Sequence, residues 1–252
     1  MCFPCLLCKV MLERAKEVIE RIRQETDSIL LFHSLSGKDS IVMLDLCYGK
    51  FKRIVCVYMY VVPNLDHTQR YYAYAKKKYP DIEFVQVPHY GYYSMIKTGF
   101  MGIRQNEKQR LWTLSDITDK LREKLGIEWA CYGFKQSDSL NRRLMLRSYR
   151  DEGMLAISWK GKKFYPLSTY KNADVLDYIQ ANRLKSPETY GGTVGQSSGC
   201  DITSPDYQSY LKMYFPQDLE RIYKVFPLAR VVLIKKQKEN EKRKRDKGYT
   251  EE

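Results

Sequence analysis

The chain has 252 residues, 44% of them hydrophobic and 29% charged, enough for one well-buried domain with an appendage but not for two full domains. No apolar run approaches the ~20 residues of a membrane-spanning helix, and the first residues lack the basic-then-apolar layout of a signal peptide, so a cytoplasmic, reducing location with no membrane contact is expected. The net charge of +13 suits a polyanionic ligand, either nucleotide or nucleic acid.

In chain order, Met11, Leu12, Ala15, Val18, Ile19 and Ile22 recur at three- and four-residue spacing and predict an amphipathic helix over 11–24. Ile29-Leu30-Leu31-Phe32 reads as a strand, followed by a tight turn of small residues and a helix ending near Gly49. The β-branched and aromatic run 54–60 predicts a second, buried strand. A helix over 68–79 stops before Pro80, and 82–87 is a third strand ended by Pro88. A further helix is expected from Ser115 as N-cap to Gly126 as C-cap, then a fourth strand over 127–134. Beyond Arg150 come a short strand at Phe164-Tyr165, a helix over 172–182, a Gly/Ser/Thr-rich loop over 187–201, and polar helices. Strands alternating with helices imply right-handed crossovers and a parallel sheet covered on both faces. The expected architecture is α/β, with a doubly wound, mostly parallel, five-stranded sheet and a C-terminal helical extension. The expected segments are a Cys-rich stretch and helix over 1–24, the α/β domain over 25–170, and a helical region with a basic tail over 171–252.

The most informative stretch is Ser34-Leu35-Ser36-Gly37-Lys38-Asp39-Ser40, standing between strand and helix. Backbone N–H groups of such a turn and of the first helical turn converge on one spot, where the helix dipole adds partial positive charge. Small residues let an anion approach the backbone, Lys38 can add a full charge, and Asp39 and Ser40 suit a helix N-terminus. After the second strand, Asp66 is open to two readings, a ligand contact or a cap for the following helix. After the fourth, Gly133-Phe134-Lys135-Gln136-Ser137-Asp138-Ser139-Leu140-Asn141-Arg142-Arg143 offers close backbone approach at Gly133 and guanidinium forks at Arg142 and Arg143. In an open parallel sheet these strand ends surround the ligand crevice.

The loop resembles the S-G-G-K-D-S pyrophosphate loop of the adenine nucleotide α-hydrolase-like superfamily, which includes the N-type (PP-loop) ATP pyrophosphatases and the PAPS (phosphoadenosine phosphosulfate) reductase family. Leu35 takes the place of the first serine and Ser36 that of the first glycine, while Gly37, Lys38, Asp39 and Ser40 match. The segment after the fourth strand resembles the family's G-x-R-x-x-E-S-x-x-R, with Lys135 for the first arginine and Asp138 for the glutamate. The run from Tyr165-Pro166-Leu167 to Asp174-Val175 and Tyr178-Ile179 resembles its P-L-x-x-W-x-x-x-D-V-x-x-Y-I, with Tyr170 for the tryptophan. Gly199-Cys200 resembles the opening of a G-C-x-x-C segment whose second cysteine is Thr203 here. The resemblance covers residues 25 to 203.

It implies a Rossmann-like nucleotide-binding enzyme of sulfur metabolism, most simply an ATP pyrophosphatase-type adenylyl- or sulfur-transferase in which an acceptor attacks the α-phosphate of ATP. The implied nucleotide-binding residues are Ser34, Ser36, Gly37, Lys38, Asp39, Ser40, Asp66, Gly133 and Lys135, with Lys38, Asp39, Arg142 and Arg143 acting on the phosphates. Magnesium would be held through Asp39 and Asp66. A sulfonucleotide reductase acting on PAPS is the alternative. The Glu-Cys-Gly-x-His segment that carries the reductase thiolate is missing, the last cysteine being Cys200. A third reading is a non-catalytic nucleotide- or nucleic-acid-binding protein, and the 21 tyrosines, some beside lysines, suit either base stacking or a core boundary. A sulfur-donor protein and a second copy of the chain are further candidate partners.

Cys2, Cys5 and Cys8 are spaced so that three thiolates can converge on an iron–sulfur cluster or zinc, leaving the fourth position for Cys200 or for a substrate. His33 and His67 stand at predicted strand ends, where each could touch ligand.

Overall fold

The apolar runs form a single seven-stranded sheet of order β3-β2-β1-β4-β7-β6-β5 in the computed structural model, which describes residues 6–151, 155–186 and 201–246. Its strands are β1 (Ser28–Phe32), β2 (Arg53–Tyr60), β3 (Glu83–Pro88), β4 (Trp129–Cys131), β5 (Arg150–Asp151), β6 (Leu155–Ser158) and β7 (Lys163–Phe164). The five strands β3-β2-β1-β4-β7 pair in parallel, and β6 and β5 add an antiparallel edge. That edge was not expected from the sequence, where only residues 164–165 stood out as a strand.

Alternate residues of β1 serve opposite faces, as a strand's period of two requires. Ile29 and Leu31 join one core with Ile54 and Cys56, beneath α1 (Leu6–Arg23), α2 (Lys38–Cys47) and α7 (Asn172–Ala181). Leu30 and Phe32 join the other with Val55, Val57 and Ala130, beneath α5 (Leu114–Leu125). The sheet is thus covered on both faces. The helix expected from residue 11 begins at Leu6, and its Ala15, Val18, Ile19 and Ile22 are all buried. The helix expected from Ser115 is capped two residues earlier: Thr113 Oγ1 accepts the Asp116 amide while Asp116 returns a bond to the Thr113 amide. This reciprocal box satisfies two donors at once, which a lone serine cap does not. Asp45, on α2, accepts from Tyr79 Oη at 2.7 Å and Tyr178 Oη at 2.9 Å, which ties α2 to its neighbours.

The remaining helices are α3 (Asp66–Lys78), α4 (Tyr90–Thr98), α6 (Leu140–Ser148), α8 (Pro205–Tyr214), α9 (Pro216–Val225) and α10 (Arg230–Asp246). Helices α8 and α9 build a core of their own from Tyr207, Leu211, Leu219 and Ile222, closed by Val62, Leu65 and Ile103. One polar tie to the sheet domain is Asp218, which is fully buried. It accepts the backbone amides of Asp66 (2.8 Å) and His67 (2.9 Å) and meets His67 Nδ1 at 2.9 Å and Arg221 at 2.8 Å. Asp218 therefore caps α3 from a distant part of the chain. Burial alone would raise its carboxyl, but the two amides and His67 hold it below the usual carboxylate range. Burial lowers the His67 pKa despite that partner, so the ring is neutral, donates from Nδ1 and accepts from Tyr207 Oη at Nε2 (3.1 Å).

Replacing Asp218 by Ala leaves two helix-start amides and a buried imidazole without their acceptor, while Arg221 keeps Asp66 and the Asn64 carbonyl. We expect a loss of about 3–5 kcal/mol, read as a lower urea midpoint, whereas Asp206→Ala on exposed α8 surface should move it by no more than about 0.5 kcal/mol.

Candidate functional site

β1 is followed on one side by β2 and β3 and flanked on the other by β4, so the strand order reverses between β1 and β4. At such a switch point the carboxyl ends of neighbouring strands diverge and leave a crevice. A cavity of about 560 Å³ opens there. Its floor comes from the ends of β1 and β2 (Phe32, Val57, Met59), one wall from Tyr132, Gly133 and Phe134 after β4, and the opposite wall from His89, Gly91 and Met95. Ser34, Ser36, Asp39, Ser40 and Arg142 add polar groups.

The loop after β1 is tied together internally. His33 extends the ladder by donating its amide to Val57 O at 2.9 Å. The Ser34 amide donates to Ser40 Oγ at 2.9 Å, and the two serine hydroxyls lie 3.0 Å apart. Leu35 adopts a left-handed φ of 55° with its side chain buried, and its amide donates to His33 Nδ1 at 2.9 Å. The Ser36 amide turns back to Ser34 O at 2.7 Å. Gly37 then takes the N-cap position without a side-chain cap, so the first amides of α2 keep no acceptor among the described residues and point at the cavity end of the helix.

Two cations flank Asp39. Lys135 Nζ lies 2.6 Å from Asp39 Oδ1 and 3.0 Å from Asp138 Oδ1, with its side chain 1% exposed. Lys38 Nζ is 3.4 Å from Asp39 Oδ2. Lys38 is buried at 4% exposure, not solvent-facing as a loop-end lysine is expected to be. Asp138 closes a tight turn by accepting the Lys135 amide at 2.9 Å, and it meets Arg142 at 2.6 Å. Burial would raise the Asp138 carboxyl, but the Lys135 amide and ammonium and the Arg142 guanidinium hold it below its usual range. Arg142 also lies over the Phe134 ring at 4.1 Å. That ring continues a stack through Tyr132 to Phe32, with centroid separations of 5.5 and 4.6 Å.

The structure brings together Ser34, Ser36, Asp39, Ser40, Gly133 and Arg142 on the cavity, with Gly37, Lys38 and Lys135 directly behind them. At Gly133 a Cβ would meet Asp39 Cβ and Met43 Sδ of α2 at 3.4 Å, so the segment after β4 packs directly against the start of α2. Arg143 is exposed, donates to Gln136 O at 3.3 Å and is not among the cavity's lining residues. Asp66 is likewise outside the lining and pairs with Arg221 at 2.9 Å. The aromatic wall of Tyr132 and Phe134 was missed. Its signal was present, since two rings spaced by two at a strand end share a face.

The expected magnesium ligands do not fit a protein-held ion. Both Asp39 oxygens face ammonium groups, Asp66 faces Arg221, and among the described residues no group of His, Cys, Asp and Glu side chains could hold a metal. Cys2, Cys5 and Cys200 lie outside the described residues, as does the side chain of Cys8. Also among the described residues, no helix is long and apolar enough to cross a membrane.

Residues 30–200 match the family model of the phosphoadenosine phosphosulfate reductase domain. The chain belongs to this PAPS reductase family. Its loop, its Lys135–Arg142 segment and every cavity-lining residue but Asp201 fall within the matched span. No curated protein matches the sequence. Among solved structures, the U34-tRNA thiolase NcsA from Methanococcus maripaludis with its 4Fe-4S cluster is similar at 13% identity over 89% of this chain and 78% of that one, with a TM-score of 0.47. An NH3-dependent NAD synthetase from Campylobacter jejuni subsp. jejuni, in complex with nitrate, is similar at 12% identity over 87% and 93%, with a TM-score of 0.43. Both TM-scores lie below 0.5, so neither structure bears on the chemistry.

Two outcomes follow from the buried charges. Lys135→Met should destabilise the PAPS reductase-family fold by about 3–5 kcal/mol in urea unfolding, because Asp39 and Asp138 then face each other without their shared cation. Burial lowers the His33 pKa from 6.5 to about 3. Below pH 6.5 the unfolded chain therefore takes up a proton that the native ring refuses, and stability falls with pH. By pH 5 this amounts to about 2 kcal/mol. Urea midpoints at pH 7 and pH 5 should differ less in His33→Asn than in the parent.

Proposed function

We propose that the cavity binds an adenine nucleotide and that the protein is an ATP pyrophosphatase-type transferase. In this reading an acceptor oxygen attacks the α-phosphate of ATP, forming a new P–O bond while the bond to pyrophosphate breaks. The observation that carries it is the charge arrangement at the loop. Lys38, Lys135 and Arg142 stand against Asp39 and Asp138, one net positive charge beside the open amides of α2. Such fixed donors stabilise the charge that develops on a leaving pyrophosphate and require no rearrangement as it forms. The apolar floor and aromatic wall suit a nucleobase, and the volume falls within the ordinary range for a nucleotide-sized ligand.

None of the three described cysteines is placed to serve a sulfonucleotide reductase, and Cys200, the cysteine that reading would use, lies outside the described residues. Cys47, Cys56 and Cys131 are buried, and none lines the cavity. Burial also pushes the Cys56 and Cys131 thiols up, away from the thiolate form that attack on a sulfonate requires. The candidate acceptors are a nucleic acid or a small metabolite, with a sulfur-donor protein as a further partner.

Pyrophosphate release from ATP tests the proposal, and sulfite release from PAPS in the presence of thioredoxin would replace it with the reductase reading. Lys38→Met, which keeps the buried stem, should reduce pyrophosphate release at least about a hundredfold, the loss expected when a fixed oxyanion donor is removed. Arg142→Ala should raise the KM for nucleotide by roughly tenfold or more, since a charge-assisted hydrogen bond contributes about 1.5–3 kcal/mol. Arg143→Ala should leave KM within about twofold. Equal effects of the two arginine substitutions would remove Arg142 from the site.

A further inference from the structure

We propose that His33 is the positioning residue of the phosphate loop, its neutral imidazole holding Leu35 in the left-handed conformation that turns the start of α2 toward the cavity. This rests on the reading of the cavity as a nucleotide site. A non-glycine residue in this region is held against its own sterics. Leu35 cannot relieve the strain by swinging outward, because its side chain is 1% exposed within the core beneath α2. Its amide, buried with it, would be costly to leave unpaired. Among the described residues the acceptor of that amide is His33 Nδ1, at 2.9 Å.

The imidazole is itself fixed. The His33 amide is in the ladder with Val57, its ring meets Phe84 edge-on at a centroid distance of 6.1 Å, and the residue is 3% exposed. Because Nδ1 accepts, the ring proton sits on Nε2. A doubly protonated ring would set one N–H against another. The loop thus requires a neutral acceptor at this place, which arginine, lysine or an apolar residue cannot supply. With the amides of Ser34, Leu35 and Ser36 engaged inside the loop, the α2 amides remain for the ligand.

The test compares His33→Asn, whose side-chain oxygen can accept at nearly the same place, with His33→Leu, which fills the space without an acceptor. ATP and PAPS are titrated separately into parent and variants by calorimetry. For whichever nucleotide the parent binds, we expect His33→Asn to stay within about threefold and His33→Leu to bind at least about tenfold more weakly. A His33→Leu protein with parental affinity overturns the proposal, as does a His33→Asn protein that loses as much as His33→Leu. Should His33→Leu fail to fold, a long-range nitrogen–proton NMR spectrum of the parent decides. An Nε2–H tautomer at pH 7 supports the role, and an Nδ1–H tautomer excludes it. A parent that binds neither nucleotide overturns the nucleotide reading itself, and this proposal with it.

Discussion

A buried ammonium shared between two carboxylates holds the site together. Lys135 leaves the end of β4 and reaches Asp39, on the first turn of α2, at 2.6 Å, while its other contact, Asp138 at 3.0 Å, closes its own turn. Parallel strands that diverge at a switch point have no backbone ladder beyond their ends to keep them in register. Here an ion pair does that work across the gap, with Gly133 packed directly against Asp39 and Met43 of α2. Enclosing one cation would be costly alone. Two carboxylates offset that cost, and they in turn are tied to Lys38 and Arg142. The chain Lys38–Asp39–Lys135–Asp138–Arg142 alternates in sign along its length, so no member faces a like charge directly.

The alternation also explains why the charges can be both structural and available. On the proposed reading, a phosphate beside α2 would meet amides without an acceptor among the described residues and two cations, Lys38 and Arg142, each paired with one oxygen of its partner. Arg142 is 42% exposed at its side chain and steadied by the Phe134 ring. It can turn toward an anion without leaving a buried carboxylate orphaned, because Lys135 still neutralises Asp138. Lys135 has no such freedom.

The parallel sheet was legible because each apolar run was bounded by turn residues and followed by a helical period, and the five parallel strands lie where those runs stand. The strands β5 and β6 were not legible, because two- and four-residue segments carry too little pattern to separate from loop. The loop from Ser34 to Ser40 could be placed from composition alone, since small residues, lysine and aspartate at a strand-to-helix turn have few other uses. Its hydrogen bonding could not. That Leu35 would take a positive φ, or that His33 would meet it two residues on, depends on burial that only the packed sheet supplies. Asp66 illustrates the opposite case. Its sequence position admitted a ligand contact or a helix cap, and its partner, Arg221, lies 155 residues further along the chain, beyond any local pattern.

The departures from the family pattern are physically coupled. Where the pattern has arginine and glutamate, this chain has Lys135 and Asp138. A guanidinium presents a planar fork with donors to spare for an anion, whereas an ammonium is a compact charge with three donors. With Asp39 and Asp138 both at hydrogen-bonding distance, the Lys135 ammonium is committed to the protein. In the proposed reading the fork for the anion is left to Arg142, the pattern's final arginine, which lies beyond Asp138 and on the cavity wall. The shorter Asp138 suits this division, since it can accept the Lys135 amide at 2.9 Å and still present its second oxygen to the ammonium. Lysine at 135 and aspartate at 138 therefore form one solution, in which the ammonium supports the turn and, on the proposed reading, a different residue meets the anion.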